Sequence, residues 1–183
     1  MDNGASSYRR FLAGDDEGLL EIICEYRTGL MLYLNSFVQN IRTAEEMTED
    51  TFAELAIRCP KFSEKSSFKT WLYAIGRNIT AKYLRKHPKD IIVPLESQEH
   101  LADEENIESN YIKDEQKLMV HKALHDLKSE YRQVLFLSFF EGFSNAETAI
   151  IMKKSKRQIE SLLYNAKKAL KTELERSGFE YEK

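Results

Sequence analysis

Cysteine, proline and glycine are all scarce in this 183-residue chain, at two, three and seven residues. Cys24 and Cys59 lie far apart and show no metal-ligand spacing, which excludes a disulfide scaffold and a zinc cluster. Both fall in helical patterns and are expected as reduced core thiols. With so few breakers, long helices can form. No window approaches the ~20 apolar residues of a membrane span. The opening MDNGASSYRR has no signal-peptide core, so a cytoplasmic protein is expected. A glycine-rich phosphate loop, a Ser/His/Asp set and paired carboxylates in an apolar pocket are also missing. Neither catalysis nor a cofactor is therefore expected.

What is present is helical and charged: 42% hydrophobic, 31% charged, net −3. Residues 8–40 carry two amphipathic patterns, broken at Gly14-Asp15-Asp16, and look like scaffold. Residues 43–59 form a third, with Thr43 and Glu46 spaced as a capping box. Met47, Phe52, Leu55, Ala56 and Cys59 are expected inside. Glu45, Glu46, Glu49 and Asp50 are expected outside. Solvated acids, a divalent cation or a basic partner would each account for that acidic face.

The next helix breaks the acidic trend. From Lys65 to Lys89 there are seven Lys or Arg and no Asp or Glu. Phe68, Trp71, Leu72, Ile75 and Ile79 form the inward stripe at 3.6-residue spacing. Lys69, Thr70, Tyr73, Arg77 and Thr80 are expected on the outer face, with Asn78 at its margin. Cations for phosphates, together with a ring and an amide for bases, are what a nucleic-acid strand requires.

From Lys89 to Glu115 the character changes again: nine acids stand against two lysines. With Pro94 and little helical periodicity, this stretch reads as an extended linker. Residues 115–176 then form a second helical unit. Ser129 is expected to cap one helix, with Tyr131, Val134, Leu135, Phe139 and Phe140 inside and Gly142 at its end. Ser144 and Glu147 form a capping box at a short helix. A turn at residues 153–155 leads into a longer one, the helix-turn-helix pattern. Seven basic residues and one acid, Glu160, lie between Lys153 and Lys171. His121 and His125 are spaced i, i+4 but have no third ligand, so a metal is not expected there.

Three blocks, in order, resemble the extracytoplasmic-function (ECF) group of bacterial sigma factors, with regions 2 and 4. The first is Ala44-Glu45-Glu46-Met47-Thr48-Glu49-Asp50-Thr51-Phe52. The second is Phe68, Trp71, Leu72, Tyr73, Ile75 and Asn78, with Tyr83-Leu84-Arg85 after them. The third is Leu127, Tyr131-Arg132, Val134-Leu135, Glu141-Gly142, Ser144, Glu147 and Ala149. The resemblance implies an all-α protein of two small helical domains: region 2 over 1–88, an acidic flexible linker over 89–114, and a region 4 helix-turn-helix domain over 115–183. It implies core RNA polymerase as partner, through the β′ clamp coiled coil and the β flap, together with promoter DNA and an anti-sigma factor.

The same resemblance assigns the surfaces. Glu45, Glu46, Glu49 and Asp50 would dock on the clamp. Phe62, Ser63, Lys65, Lys69, Trp71, Tyr73, Ile75, Arg77, Asn78 and Lys82 would meet the −10 element. Lys154, Ser155, Lys156, Arg157, Glu160, Ser161, Asn165 and Lys168 would meet the −35 element. Glu160 and Asn165 stand where the group commonly has Lys and Arg. Two other classes fit part of the pattern. A stand-alone helix-turn-helix regulator would need no single-strand surface, and a metal enzyme built on the acidic helix would need a substrate pocket.

Overall fold

The computed structural model describes residues 3–88 and 119–179, and every regular element among them is a helix. In the first unit, α1 (Asn3–Leu12), α2 (Glu17–Val38), α3 (Ile41–Arg58) and α4 (Phe68–Lys86) pack together. The second unit holds α5 (119–126), α6 (Ser129–Leu135), α7 (Asn145–Met152) and α8 (Lys156–Arg176). This is the all-α architecture expected. The acidic stretch 89–114 lies outside the described residues.

The helix starts reflect local side-chain chemistry. Asn40, in extended backbone, accepts the Thr43 N–H at 3.1 Å and starts α3. The expected cap at Thr43 is therefore corrected: Thr43 sits inside the helix and is buried. Ser67 caps α4 by accepting from the Thr70 N–H at 3.2 Å. Ser144 with Glu147, and Ser155 with Gln158, form reciprocal capping boxes at α7 and α8. Ser129 does not cap α6. Lys128 holds that position, and the Ser129 hydroxyl donates to the Phe37 carbonyl at 3.4 Å.

Between α6 and α7 the chain winds as a π-helical turn, Phe136–Phe140. The Glu141 N–H donates to the Phe136 carbonyl at 3.2 Å, one residue further than an α-helix reaches. An extra residue rotates the side chains beyond it by about 100°. Phe139 and Phe140, expected inside, are 59% and 64% exposed. Gly142 ends the segment with φ of +70°, a conformation that favours glycine.

Apolar burial sets the stability. Tyr8, Leu30, Tyr33, Leu34, Leu55, Phe68 and Leu72 are sealed in the first unit, and Val134, Leu137, Ile151 and Ile159 in the second. Each fully buried Leu or Phe contributes about 1.5–3 kcal/mol. Trp71 is half-buried, its ring 5.4 Å from Tyr8 and 5.0 Å from Phe62. The cysteine expectation is corrected: Cys24 and Cys59 are free and exposed. Ala56 is exposed as well, because the inward face of α3 is completed by Thr48 and Thr51 instead.

The two units meet face to face, α6 on α2 and α7 on α4. Arg132 ties the first of these seams. Its Nε donates to the Ser36 carbonyl at 2.9 Å, and its Nη1 to the carbonyls of Leu127 and His125. Burial pulls its guanidinium pKa down from the ordinary value. Gln39, in left-handed backbone at the end of α2, donates to the His125 carbonyl at 2.7 Å.

Candidate nucleic-acid and polymerase interfaces

Three charged surfaces project from this frame. The first lies on α3. Helical spacing sets Glu45, Glu46, Glu49 and Asp50 on adjoining turns, and all four are exposed. Their inner neighbours Ala44, Met47, Thr48 and Thr51 are buried, which fixes the acidic side outward. The Thr48 and Thr51 hydroxyls, at 2.7 and 2.6 Å, donate back to the carbonyls of Ala44 and Met47, so neither is left unsatisfied. Among the described residues, no group of three or more His, Cys, Asp or Glu is arranged to hold a metal ion.

The second surface, on α4 and the loop before it, is only partly open. Ser63, Lys65 and Lys82 are exposed, whereas Phe62, Lys69, Trp71, Ile75, Arg77 and Asn78 are half-buried. Tyr73 is 1% exposed, and Thr70 and Thr80 are buried too. The expectation that Tyr73, Thr70 and Thr80 face outward is thereby corrected. The second unit covers Thr70 and Tyr73. Thr80, whose hydroxyl donates to the Gly76 carbonyl at 2.9 Å, lies one turn beyond Gly76, which packs against Leu30, Leu34 and Thr51 of the first unit.

Lys69, Tyr73 and Arg77 recur every four residues and form one stripe along the covered side. The Lys69 ammonium lies 2.8 Å from the Glu141 carboxylate, also donates to the Glu141 carbonyl at 3.1 Å, and sits 4.8 Å above the Phe143 ring. The Tyr73 hydroxyl donates to Glu141 Oε2 at 2.7 Å. Its ring stacks on Tyr33 at 5.5 Å and meets Phe143 edge-on at 5.1 Å. Burial, and then the charge of Glu141, push the Tyr73 phenol far above its ordinary range, so it stays a donor. Arg77 Nε donates to Gln133 Oε1 at 3.3 Å, and the Arg77 guanidinium lies 5.6 Å from the Phe37 ring. One turn towards the start of α4, the Thr70 hydroxyl donates to Glu147 Oε1 at 3.2 Å.

The spacing of Glu141, Gln133 and Glu147 does not mark them as partners of α4. Glu141 precedes a glycine at a helix end, and Glu147 reads fully as a capping residue. Gly29 on α2 carries no sequence signal either. A Cβ there would come within 2.6 Å of the Tyr73 hydroxyl and 2.8 Å of the Glu141 carboxylate, so the seat requires glycine.

The third surface is the helix-turn-helix of α7 and α8. Lys153 makes the turn in left-handed backbone (φ +54°). Ile159, Ala166 and Leu174 bury the inner side of α8. Ser155, Lys156, Arg157, Glu160, Ser161, Asn165 and Lys168 are all exposed on its outer side. Lys154 is tethered, its ammonium 2.9 Å from the Glu130 carboxylate. Apart from that tether, the outer side of α8 is open. Behind it, an apolar groove of about 590 Å³ runs between α5, the π turn and α8. Leu124, Leu135, Phe139, Phe140, Leu170 and Leu174 line it, with Lys167 and Lys171 at its rim.

Comparison with known proteins matches both halves. Residues 22–89 match the family model of sigma-70 region 2, and residues 117–170 that of sigma-70 region 4. The RNA polymerase sigma-H factor of Pseudomonas aeruginosa is 26% identical over 170 residues, covering 88% of each chain. The ECF RNA polymerase sigma factor SigM of Bacillus subtilis is 26% identical over 151 residues, covering 82% of this chain and 91% of its own. Among solved structures, the sigma factor RpoE of Bartonella quintana, in complex with the anti-sigma factor NepR, has the same fold. It superposes with a TM-score of 0.67 over 85% of this chain and 95% of its own, at 22% identity.

Proposed function

Because the chain belongs to the sigma-70 family, in its extracytoplasmic-function group and with both region 2 and region 4, we propose that each of its surfaces has one task in promoter-dependent initiation. It is a sigma factor, a DNA-binding transcription initiation factor that works with core RNA polymerase. The acidic strip of α3 docks on the basic coiled coil of the β′ clamp, steering association through exposed charge. The apolar groove with its lysine rim receives the β flap. Phe62, Ser63, Lys65 and the α4 residues Lys69, Trp71, Tyr73, Ile75, Arg77, Asn78 and Lys82 hold the opened −10 strand. The exposed side of α8 reads the −35 element in the major groove, where the start of a recognition helix meets base edges.

The domains match this division: 1–88 for docking and the −10 element, 89–114 as the acidic linker, and 115–183 for the −35 element. The protein performs no reaction of its own, because promoter opening needs binding energy and not a reacting group. It works in the cytoplasm, where its polymerase and DNA are found. No helix among the described residues is long and apolar enough to cross a membrane. As its structural neighbour is held by an anti-sigma factor, so this chain is held by one of its own.

The observation that carries this reading is the separation of charge on one small frame: an exposed acidic strip on α3 and an exposed basic side on α8. Gel filtration with core polymerase tests it. Co-elution in a one-to-one complex is expected, and separate elution at micromolar concentrations would refute it.

A further inference from the structure

Building on the reading of α8 as the −35 helix, we propose that Glu130 sets how strongly the protein holds DNA of any sequence. Its carboxylate, on the first turn of α6, keeps the Lys154 ammonium neutralised and away from the phosphates. Glu130 is thus a positioning residue, acting on DNA only through Lys154.

The place of the lysine comes first. Lys153 turns the chain in left-handed backbone, and the Lys154 N–H donates to the Ala149 carbonyl at 3.0 Å, which fixes the turn. Ser155 follows at once as the N-cap of α8. Lys154 therefore stands beside the end of the helix that enters the groove, where a lysine ordinarily meets a phosphate.

Its charge, however, already has a partner. The ammonium lies 2.9 Å from Glu130 Oε1, and the lysine side chain is only 25% exposed, against 53% for that of Glu130. Among the described basic residues from Lys153 to Lys168, no other is ion-paired with an acid. Lys153, Lys156, Arg157 and Lys168 are exposed.

An ion pair with one partner half-exposed adds little to stability, so its effect is on the field that DNA meets. A lysine strengthens binding by releasing the counterions condensed at a phosphate. With a carboxylate 2.9 Å away, Lys154 presents no net charge to the backbone and releases none. Phosphate contacts carry no sequence information, so the pair lowers affinity for all duplexes alike. It shortens stays on DNA that lacks the element and leaves recognition to the exposed side of α8.

The full-length chain binding a random-sequence duplex, followed by fluorescence anisotropy over a range of salt, tests this. Glu130→Gln keeps the shape and removes the charge. Binding about five- to tenfold tighter at about 0.1 M salt is expected, with a log–log salt slope steeper by about 0.9, one phosphate contact. The coupling decides: in a Lys154→Met background the same substitution should produce neither change. A gain that persists without Lys154 would mean that Glu130 acts by its own charge, and would overturn the proposal. No gain with Lys154 present would overturn it too. Where circular dichroism shows that Glu130→Gln fails to fold, Glu130→Ala decides, with the same expectations. A chain that binds no duplex even at low salt refutes the reading of α8 and the proposal with it. Duplex binding without the coupling refutes the proposal alone.

Discussion

The hydroxyl of Tyr73 on α4 donates to the carboxylate of Glu141 at 2.7 Å, joining two residues 68 positions apart across the seam between the units. Tyr73→Phe keeps the stack on Tyr33 and deletes only this donor. The carboxylate keeps Lys69, so the loss is partial. Urea unfolding should show a decrease of about 1–2 kcal/mol. A variant as stable as the parent would mean that the bond contributes nothing to the seam.

Glu147 makes the second contact and predicts a pH effect. Burial raises its pKa, but hydrogen bonds from Ser144, Thr70 and Ser67 outweigh that and hold it below the ordinary 4.5. A folded-state pKa below the unfolded one stabilises above the unfolded value, and that stability fades as pH falls through the folded value. The α7 end of the seam should thus loosen on acidification below the ordinary carboxylate range. Glu147→Gln, which can still accept at the cap, should flatten this dependence. Urea midpoints measured between about pH 6 and pH 3 check it, and equal slopes for both proteins would contradict it.

The order of helices and most of their ends could be read from residues alone, because caps such as Ser67, Ser144 and Ser155 act within one turn of themselves. Thr43 resembles a cap in sequence, but Asn40, three residues earlier, already starts the helix by accepting the Thr43 N–H, which places Thr43 inside it. The π turn was illegible: Phe136-Leu137-Ser138-Phe139-Phe140 carries no local mark of an extra residue, and the outward turn of two phenylalanines results from it. The exposure of the acidic side of α3 and of the basic outer side of α8 was legible, because helical spacing alone separates these residues from their buried neighbours. The α4 stripe was not, since Lys69, Tyr73 and Arg77 look like a solvent-facing set until their partners 56 to 72 residues away are known.

On α3, reversing Glu49 and Asp50 to Lys should weaken binding to core polymerase on the order of tenfold or more, because the docking charge changes sign. Both side chains are exposed, so helicity should not change. Gel filtration and circular dichroism of the double variant measure the two effects. Undiminished co-elution would remove the acidic strip from the docking surface.

On α8, Glu160 lies one turn into the helix and Asn165 further along its exposed side. A glutamate near base edges can accept from cytosine N4, whereas an asparagine on the flank faces backbone. Asn165→Arg should tighten binding to all −35 sequences alike and steepen the log–log salt slope by about 0.9. Glu160→Lys should change which −35 sequence is preferred. Affinities across −35 variants at two salt concentrations separate the two. A sequence-dependent effect at 165, or a uniform one at 160, would reverse the orientation of α8 in the groove.

Run-off transcription with core polymerase, with and without this protein, bears most directly on its role as a promoter-selecting initiation factor. The templates should be a library of random −35 and −10 segments, since the preferred pair is to be found by the experiment. Adding the protein should produce transcripts from a small subset sharing both elements, and Asn78→Ala should relax the −10 preference while keeping the −35 one. Transcription from the same templates with core alone, or no selection among them when the protein is added, would contradict that role.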